Sequence, residues 1–160
     1  MTASVPERLH ELLMDLIRAA GLLQTDRLIP GHPVSMSQAF TLHELDAGAP
    51  LSQRELAERL GLEKSTVSRM AADLEKRGLL RRERDPTNRR LYRLRLTDEG
   101  RAVHSTIAGG FHAQFVHWTA ALTEAERGGL LTGLPALVRV IRAHVAHGSK
   151  DSVSASATGR

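Results

Sequence analysis

Apolar residues recur along this chain at the three-to-four spacing of α-helices, interrupted by one stretch at the two-residue spacing of strands. Residues 5–24 read as an amphipathic helix. Leu9, Leu12, Leu13, Leu16, Ile17, Ala20 and Leu23 form its apolar stripe, while Glu7, Arg8, Glu11, Asp15 and Arg18 fall mostly off it. Pro6 suits a first-turn position. A connector broken by Pro30, Gly31 and Pro33 follows. Ser35 to Ala47 reads as the next helix, with Met36, Ala39, Phe40, Leu42 and Leu45 available for packing, and Gly48-Ala49-Pro50 ends it.

The stretch from Leu51 to Gly100 changes period twice. Ser52 and Glu55 form a Ser-x-x-Glu capping box, Leu56, Ala57 and Leu60 share one face, and Gly61 supplies a C-terminal cap. A second helix starts near Glu63. It turns Val67, Met70, Ala71 and Leu74 inward and shows Lys64, Ser65, Thr66, Ser68 and Arg69 on the other face, before closing at Gly78. Short hydroxyl side chains and an arginine near a helix N-terminus suit the floor of a DNA major groove. Residues 79–84 and 91–96 then read as two strands. In the second, Tyr92, Leu94 and Leu96 alternate with Leu91, Arg93 and Arg95. The tip between them, Asp85-Pro86-Thr87-Asn88-Arg89-Arg90, has turn-forming residues and two guanidiniums. A helix-turn-helix followed by an arginine-tipped hairpin is a winged helix, and both parts point to the same polyanionic partner.

Beyond the hairpin, Thr97 caps a long helix with Asp98 and Glu99 in its first turn. Its stripe is Val103, Ile107, Phe111, Phe115, Trp118 and Leu122, and Gly109-Gly110 is expected to weaken or bend it locally. Thr123 and Glu126 start a last helix carrying Leu130, Leu131, Leu134, Leu137, Val138, Ile141 and Val145. Pro135 inside it predicts a kink, or a break near 131–133. The Ser-, Ala- and Gly-rich residues 148–160 predict a disordered tail. The fold class is therefore mainly α with a small β-hairpin wing.

Composition sharpens this in three ways. A chain of 160 residues is one domain's worth, and with 3% aromatic residues its core has to be aliphatic. The net charge of +4 is unevenly placed: residues 51–101 hold 14 Lys and Arg against 9 Asp and Glu, and the remainder holds 8 against 9. The excess lies in the winged helix, as a nucleic-acid-binding face requires. Having no cysteine, the chain can form no disulfide, thiol redox sensor or thiolate metal site. Neither a membrane-length apolar run nor a signal-peptide pattern stands out, so a cytoplasmic protein is expected, nucleoid-associated when bound to DNA and without a membrane partner.

Four blocks together resemble the MarR family of bacterial transcriptional regulators: Lys64-Ser65-Thr66-Val67-Ser68-Arg69, Leu74 to Arg82, Asp85-Pro86-x-x-Arg89-Arg90, and Leu96-Thr97-x-x-Gly100. Their order and spacing match, and the resemblance spans about residues 5–147. One departure is Asn88, where the family's wing carries the Asp of an Asp-x-Arg pair that braces the following arginine. The resemblance implies a winged helix-turn-helix DNA-binding domain at 35–96. It also implies a helical dimerisation layer built from 5–34 and 97–147, and a one- or two-residue β-bridge near the start of the winged helix. On this view the protein is a homodimeric regulator, more a repressor than an activator, of a pseudo-palindromic operator. Ser65, Thr66, Ser68 and Arg69 would approach base edges, and Asn88, Arg89 and Arg90 would lie at a minor-groove wing tip. Gln53, Arg54, Lys64, Arg82, Arg84 and Arg93 would contact the phosphate backbone. A small aromatic or phenolic effector would bind between the dimer layer and the winged helix, with Met14, Phe40, His43, Phe111, Phe115 and Trp118 as candidate pocket residues.

Other chemistry is weakly represented. None of the eight histidines forms a cluster with dependable metal-ligand spacing: His104 and His112 are eight apart, His112 and His117 five, and His144 and His147 three, at a helix end. No bound metal or cofactor is expected, and a histidine-based metal-responsive regulator is the lesser alternative. Gly-x-Ser-x-Gly, His-Glu-x-x-His and phosphate-loop patterns are missing, so an enzyme is not expected. A winged helix used only to bind protein is a further alternative, but such a face should be more apolar or aromatic than Ser65, Thr66, Ser68 and Arg69.

Overall fold

A computed structural model describes residues 4–21, 23 and 28–157, with side chains described as far as residue 144. It contains α1 (Val5–Ala19), α2 (Met36–Asp46), α3 (Gln53–Leu60), α4 (Lys64–Lys76), β1 (Leu80–Arg84), β2 (Tyr92–Leu96), α5 (Asp98–Ala121) and α6 (Glu124–Ala157). The chain divides into two compact units, residues up to 110 and residues from 111 onward.

In the first unit the local signals act as expected. The Ser52 hydroxyl accepts from the Glu55 backbone N–H, and the Glu55 carboxylate accepts from that of Ser52, so α3 starts on a complete capping box. Ser35 and Gln38 do the same for α2. Gly61 ends α3 at φ 64°, a left-handed conformation that a residue with a Cβ adopts only at a cost. Helix α1 stops at Ala19, short of the expected residue 24, because Gly21 N–H bonds only three residues back, to the Arg18 carbonyl, and Gly21 turns left-handed. Leu23 therefore does not extend the helical stripe, and 22 and 24 lie outside the described residues.

The core is aliphatic. Leu42, Leu56, Val67, Leu74, Leu80, Leu94 and Leu96 are buried to within a few per cent, and α5 reaches them through Ile107. Phe40, expected to pack, is instead exposed, since burying Ala39, Leu42 and Leu45 turns its face of α2 outward. β1 and β2 pair antiparallel from Leu80↔Leu96 to Arg84↔Tyr92. The anticipated β-bridge is present: Leu51 and Leu94 exchange backbone hydrogen bonds of 3.3 and 2.7 Å, fastening the hairpin to the segment before α3.

The join between hairpin and α5 explains the Leu-Thr-x-x-Gly block. Thr97 N–H donates to the Leu79 carbonyl, its hydroxyl to the Gly78 carbonyl at 2.6 Å, and Gly100 N–H donates to the Thr97 hydroxyl. Gly100 then lies so close to Leu79 that an added Cβ would sit 1.9 Å from the Leu79 carbonyl oxygen. Helix α5 continues through Gly109 and Gly110.

In the second unit, Arg127 donates to the Thr119 and Leu122 carbonyls at the end of α5, and Thr123 with Glu126 begins α6 through a capping box. No break occurs at 131–133: α6 passes through Pro135, which leaves the Leu131 carbonyl without its usual i+4 donor but does not stop the helix. Helical backbone also continues from 148 to Ala157, where composition predicts a disordered tail; alanine and serine oppose a helix far less than glycine or proline do. None of the described side chains from 111 to 144 is buried.

Candidate nucleic-acid interface

Helix α4 rests on the core through Val67, Ala71 and Leu74, so its opposite face is presented by default. Lys64, Ser65 and Arg69 are exposed, and Thr66 and Ser68 are half-buried. Its start is held from within the backbone, with the Thr66 and Val67 N–H groups donating to the Glu63 carbonyl, so the hydroxyls of Ser65, Thr66 and Ser68 take no part in capping it.

The wing tip is organised by one buried carboxylate, Asp85. Its Oδ1 accepts from the Thr87 backbone N–H (2.8 Å), the Thr87 hydroxyl (2.6 Å) and the Asn88 backbone N–H (2.9 Å). Its Oδ2 accepts from Arg93 Nε at 2.6 Å. These donors, Thr87 first and Arg93 next, hold the Asp85 carboxyl far below the usual carboxylate range. Asn88 keeps an acceptor's role at the tip, since its side-chain oxygen takes the Arg90 backbone N–H at 3.1 Å. Asn88 at this position therefore holds the backbone of Arg90 without supplying the charge that an Asp–Arg pair would use. Arg84 lies over the Tyr92 ring, 5.7 Å from its centroid, and donates to the Arg89 carbonyl.

Arg93 has a different setting from the one its place in the sequence suggests. Beyond Asp85 it donates through Nη1 to Glu55 Oε2 at 2.6 Å and to the Pro50 carbonyl at 3.5 Å. Its guanidinium is occupied on both sides. Glu55 in turn is held below its ordinary range, chiefly by the Ser52 backbone N–H and hydroxyl and then by Arg93.

Ion pairs sort the remaining cations. Arg54 pairs with Glu58, Arg59 with Glu44, Arg77 with Asp73, Arg81 and Arg95 with Glu83, Arg82 with Glu75, and Arg101 with Asp98. In the first unit, the described Lys and Arg residues without an ion pair are Lys64, Arg69, Lys76, Arg84, Arg89 and Arg90. All six belong to α4 and the wing. Within the first unit, positive charge without an ion pair is thus confined, among the described residues, to the two elements that carry the helix-turn-helix and wing chemistry.

This arrangement has counterparts among known proteins. A family model described as "MarR family" matches residues 32–91. The solved PcaV transcriptional regulator of Streptomyces coelicolor is 32% identical, with a TM-score of 0.63 over 87% of this chain and 97% of that one. The chain belongs to the MarR family. The transcriptional repressor MdtR of Bacillus subtilis is 34% identical over 93 residues, 58% of this chain and 60% of MdtR. A putative regulator of the hcr operon of Thauera aromatica is 35% identical over 89 residues, 56% of this chain and 54% of the relative. The chain thus aligns with little more than half the length of these curated relatives. Streptococcus pneumoniae FabT, solved in complex with DNA, shares the fold at 21% identity, with a TM-score of 0.75 over 84% of this chain and 96% of FabT.

For a MarR-family chain, the effector-pocket candidates fall in both units. Met14, Phe40 and His43 belong to the first unit and Phe111, Phe115 and Trp118 to the second. Phe115 and Trp118 meet edge to face at 5.3 Å, both still exposed. His43 Nδ1 lies 3.3 Å from His104 Nε2, and His104 Nδ1 lies 3.2 Å from Asp46. Among the described residues no three His, Asp or Glu side chains gather as a metal-binding group, and no helix is long and apolar enough to cross a membrane. An open groove of about 640 Å³ runs between the start of α2 and α4, past Gln38, Met70 and Arg69, and includes none of the six pocket candidates.

Sequence reasoning missed Asp85's role as the wing's organising acceptor and Arg93's internal partners. The first was legible: an Asp followed two and three residues on by Thr and Asn is an Asx-turn pattern. The second depends on the pairing of distant elements.

Proposed function

We propose that this chain is a homodimeric, sequence-specific DNA-binding regulator, in the main a repressor, acting on a pseudo-palindromic operator in the bacterial cytoplasm. The observation that carries this reading is the confinement of the first unit's unpaired cations to α4 and the wing. Arg69 with Ser65, Thr66 and Ser68 reads the major groove, Arg89 and Arg90 enter the flanking minor groove, and Lys64 and Arg84 contact phosphates. Gln53 and Arg54 add phosphate contacts at the start of α3, as does Arg82 at the base of the wing when it exchanges Glu75 for a phosphate.

The apolar surfaces left in water support pairing with a second copy. No residue of α1 is buried, although Leu9, Leu12 and Leu16 share one face, and α6 exposes Leu130, Leu134, Val138 and Ile141. Apolar stripes of this length are covered in stable soluble proteins. Pairing two such chains would set two recognition helices roughly one DNA turn, about 10 bp, apart. PcaV has also been solved with its natural ligand, and by that likeness a small-molecule effector that changes the spacing of the recognition helices is the expected release signal, its aromatic or phenolic class resting on the family resemblance alone.

The test is fluorescence anisotropy on the intergenic DNA upstream of the protein's own gene, with random DNA of equal length as control, at several salt concentrations. Preferential binding with a steep fall of affinity with salt supports the reading. Arg69→Ala should lower specific affinity by about 1–3 kcal/mol and leave random-DNA binding nearly unchanged. Equal binding to both DNAs across the salt range would overturn site-specific recognition.

A further inference from the structure

We propose that Arg93, with Glu55 and Asp85, is a clamp that sets the reach of the wing relative to the helix-turn-helix, so that Arg93 and Glu55 are positioning residues for DNA binding. This rests on the DNA-binding reading above and goes beyond it. Arg93 would otherwise be assigned to phosphate contact, as its place on the wing and its charge suggest.

The connection is continuous. Ser52 N–H bonds to Glu55 Oε2 at 2.7 Å, Arg93 Nη1 bonds to the same oxygen at 2.6 Å, and Arg93 Nε bonds to Asp85 Oδ2 at 2.6 Å. The other oxygen of Asp85 holds the backbone of Thr87 and Asn88, which leads into Arg89 and Arg90. One guanidinium therefore joins the first turn of α3 to the turn at the wing tip. Only the planar fork of arginine bridges two carboxylates in this way; a lysine has one point of charge. The Leu51–Leu94 bridge fixes the base of the hairpin. The tip lies beyond it: Asp85 N–H still bonds across to the Leu91 carbonyl at 3.0 Å and Leu91 N–H to the Asn88 carbonyl at 2.9 Å, but residues 86–90 lie outside the β1–β2 ladder and are positioned chiefly by the Asp85 carboxylate. A protein that places α4 in one groove and Arg89 and Arg90 in the next needs that spacing set before it meets DNA, because ordering the tip on binding costs affinity.

The clamp makes a prediction opposite in sign to direct contact. Glu55→Gln keeps the capping box, since Gln38 performs that role at Ser35, but it replaces the carboxylate facing Arg93. If Arg93 contacts phosphate, losing a negative charge beside it strengthens DNA binding. If Arg93 is a clamp, the same change weakens it.

The experiment uses the full chain and the tightest duplex selected from a randomised pool. Glu55→Gln and Arg93→Met should each lower affinity about tenfold, and Arg93→Lys, which keeps the charge, should behave like Arg93→Met. In the Glu55→Gln background Arg90→Ala should cost much less than in the parent, because the tip is already displaced. Without DNA, trypsin should cut after Arg89 and Arg90 about ten times faster in Glu55→Gln and Arg93→Met than in the parent, and Glu55→Gln, which leaves the Asp85–Arg93 pair in place, should melt at close to the parent's temperature. Tighter binding by Glu55→Gln, or full affinity in Arg93→Lys with unchanged cleavage, would overturn the clamp. If selection yields no preferred duplex, the DNA-binding reading fails, and the cleavage rates still decide whether the tip is clamped.

Discussion

Residues 34–107 and residues 111–144 use the same vocabulary of leucine, valine and alanine at helical spacing, and they end in opposite conditions. The first stretch buries fifteen hydrophobic residues in one cluster; the second buries none of its described side chains. Helix α5 passes from one condition to the other, with Ile107 nearly covered and Phe115 more than half exposed on the same sequence stripe. An apolar period thus identifies a face that has to be covered, but not what covers it. In the winged helix the covering elements are in the same chain. For α1 and α6 the proposed cover is a second copy.

The largest expected effect breaks the self-sufficient half. Gly100→Ala would place a Cβ 1.9 Å from the Leu79 carbonyl oxygen, and neither backbone can move without losing the Thr97 bonds to Gly78 and Leu79. A destabilisation of about 3 kcal/mol is expected from overpacking against a rigid neighbour, measured by urea unfolding. Gly109→Ala, with open space around its Cβ position, should be stabilising by a few tenths to about 1 kcal/mol in the same assay.

The next separates the two halves. Ile141→Asp puts a charge on a face of α6 that the described residues leave about half exposed. Unfolding of the winged helix should be little affected once monomer is compared with monomer. Sedimentation should show dissociation, and affinity for a two-half-site duplex should fall on the order of 100-fold as bivalency is lost. An unchanged sedimentation coefficient and affinity would mean that α6 is not the dimer face.

Much of this contrast is legible in the sequence. Ser52, Glu55, Thr97, Thr123 and Glu126 announce helix starts, Gly61 announces an end, and alternation at Leu94 and Leu96 gives the hairpin, because each signal acts within four residues. What stayed hidden depends on distance along the chain. Nothing local distinguishes Arg93, held by Glu55 thirty-eight positions away, from Arg90, which has no ion pair among the described residues. For the same reason Phe40 read as core. The end of α1 was misplaced because a left-handed Gly21 outweighs a stripe that continues on paper to Leu23.

A third test uses pH. The Asp85 carboxyl is lowered in the fold, so its unfolded-state pKa is the higher of the two. Its contribution is then fully present above the ordinary aspartate pKa, about 3.9, and is lost as pH falls toward the folded value. The stability advantage of the parent over Asp85→Asn should be constant from pH 7 to about pH 5 and shrink progressively below that, as followed by urea unfolding at each pH. An advantage independent of pH down to 3 would mean that the charge of Asp85 is not what holds the wing turn.

The smallest effect tests whether surface charge serves the fold or the partner. Arg54 and Glu58 form an i,i+4 pair at 2.9 Å, with side chains 84% and 63% exposed. Solvent screens such a pair, and arginine preceding glutamate is the less favourable order along a helix, so Arg54→Ala should change stability by less than about 0.5 kcal/mol. If Arg54 exchanges Glu58 for a phosphate, the same variant should weaken selected and random duplexes about equally and reduce the salt slope of binding by about one. That outcome would separate it from Arg69, whose loss should fall on the selected duplex, and from Arg93, whose loss should fall on the wing. A stability loss well above 0.5 kcal/mol with unchanged DNA affinity would return Arg54 to the fold and take it out of the interface.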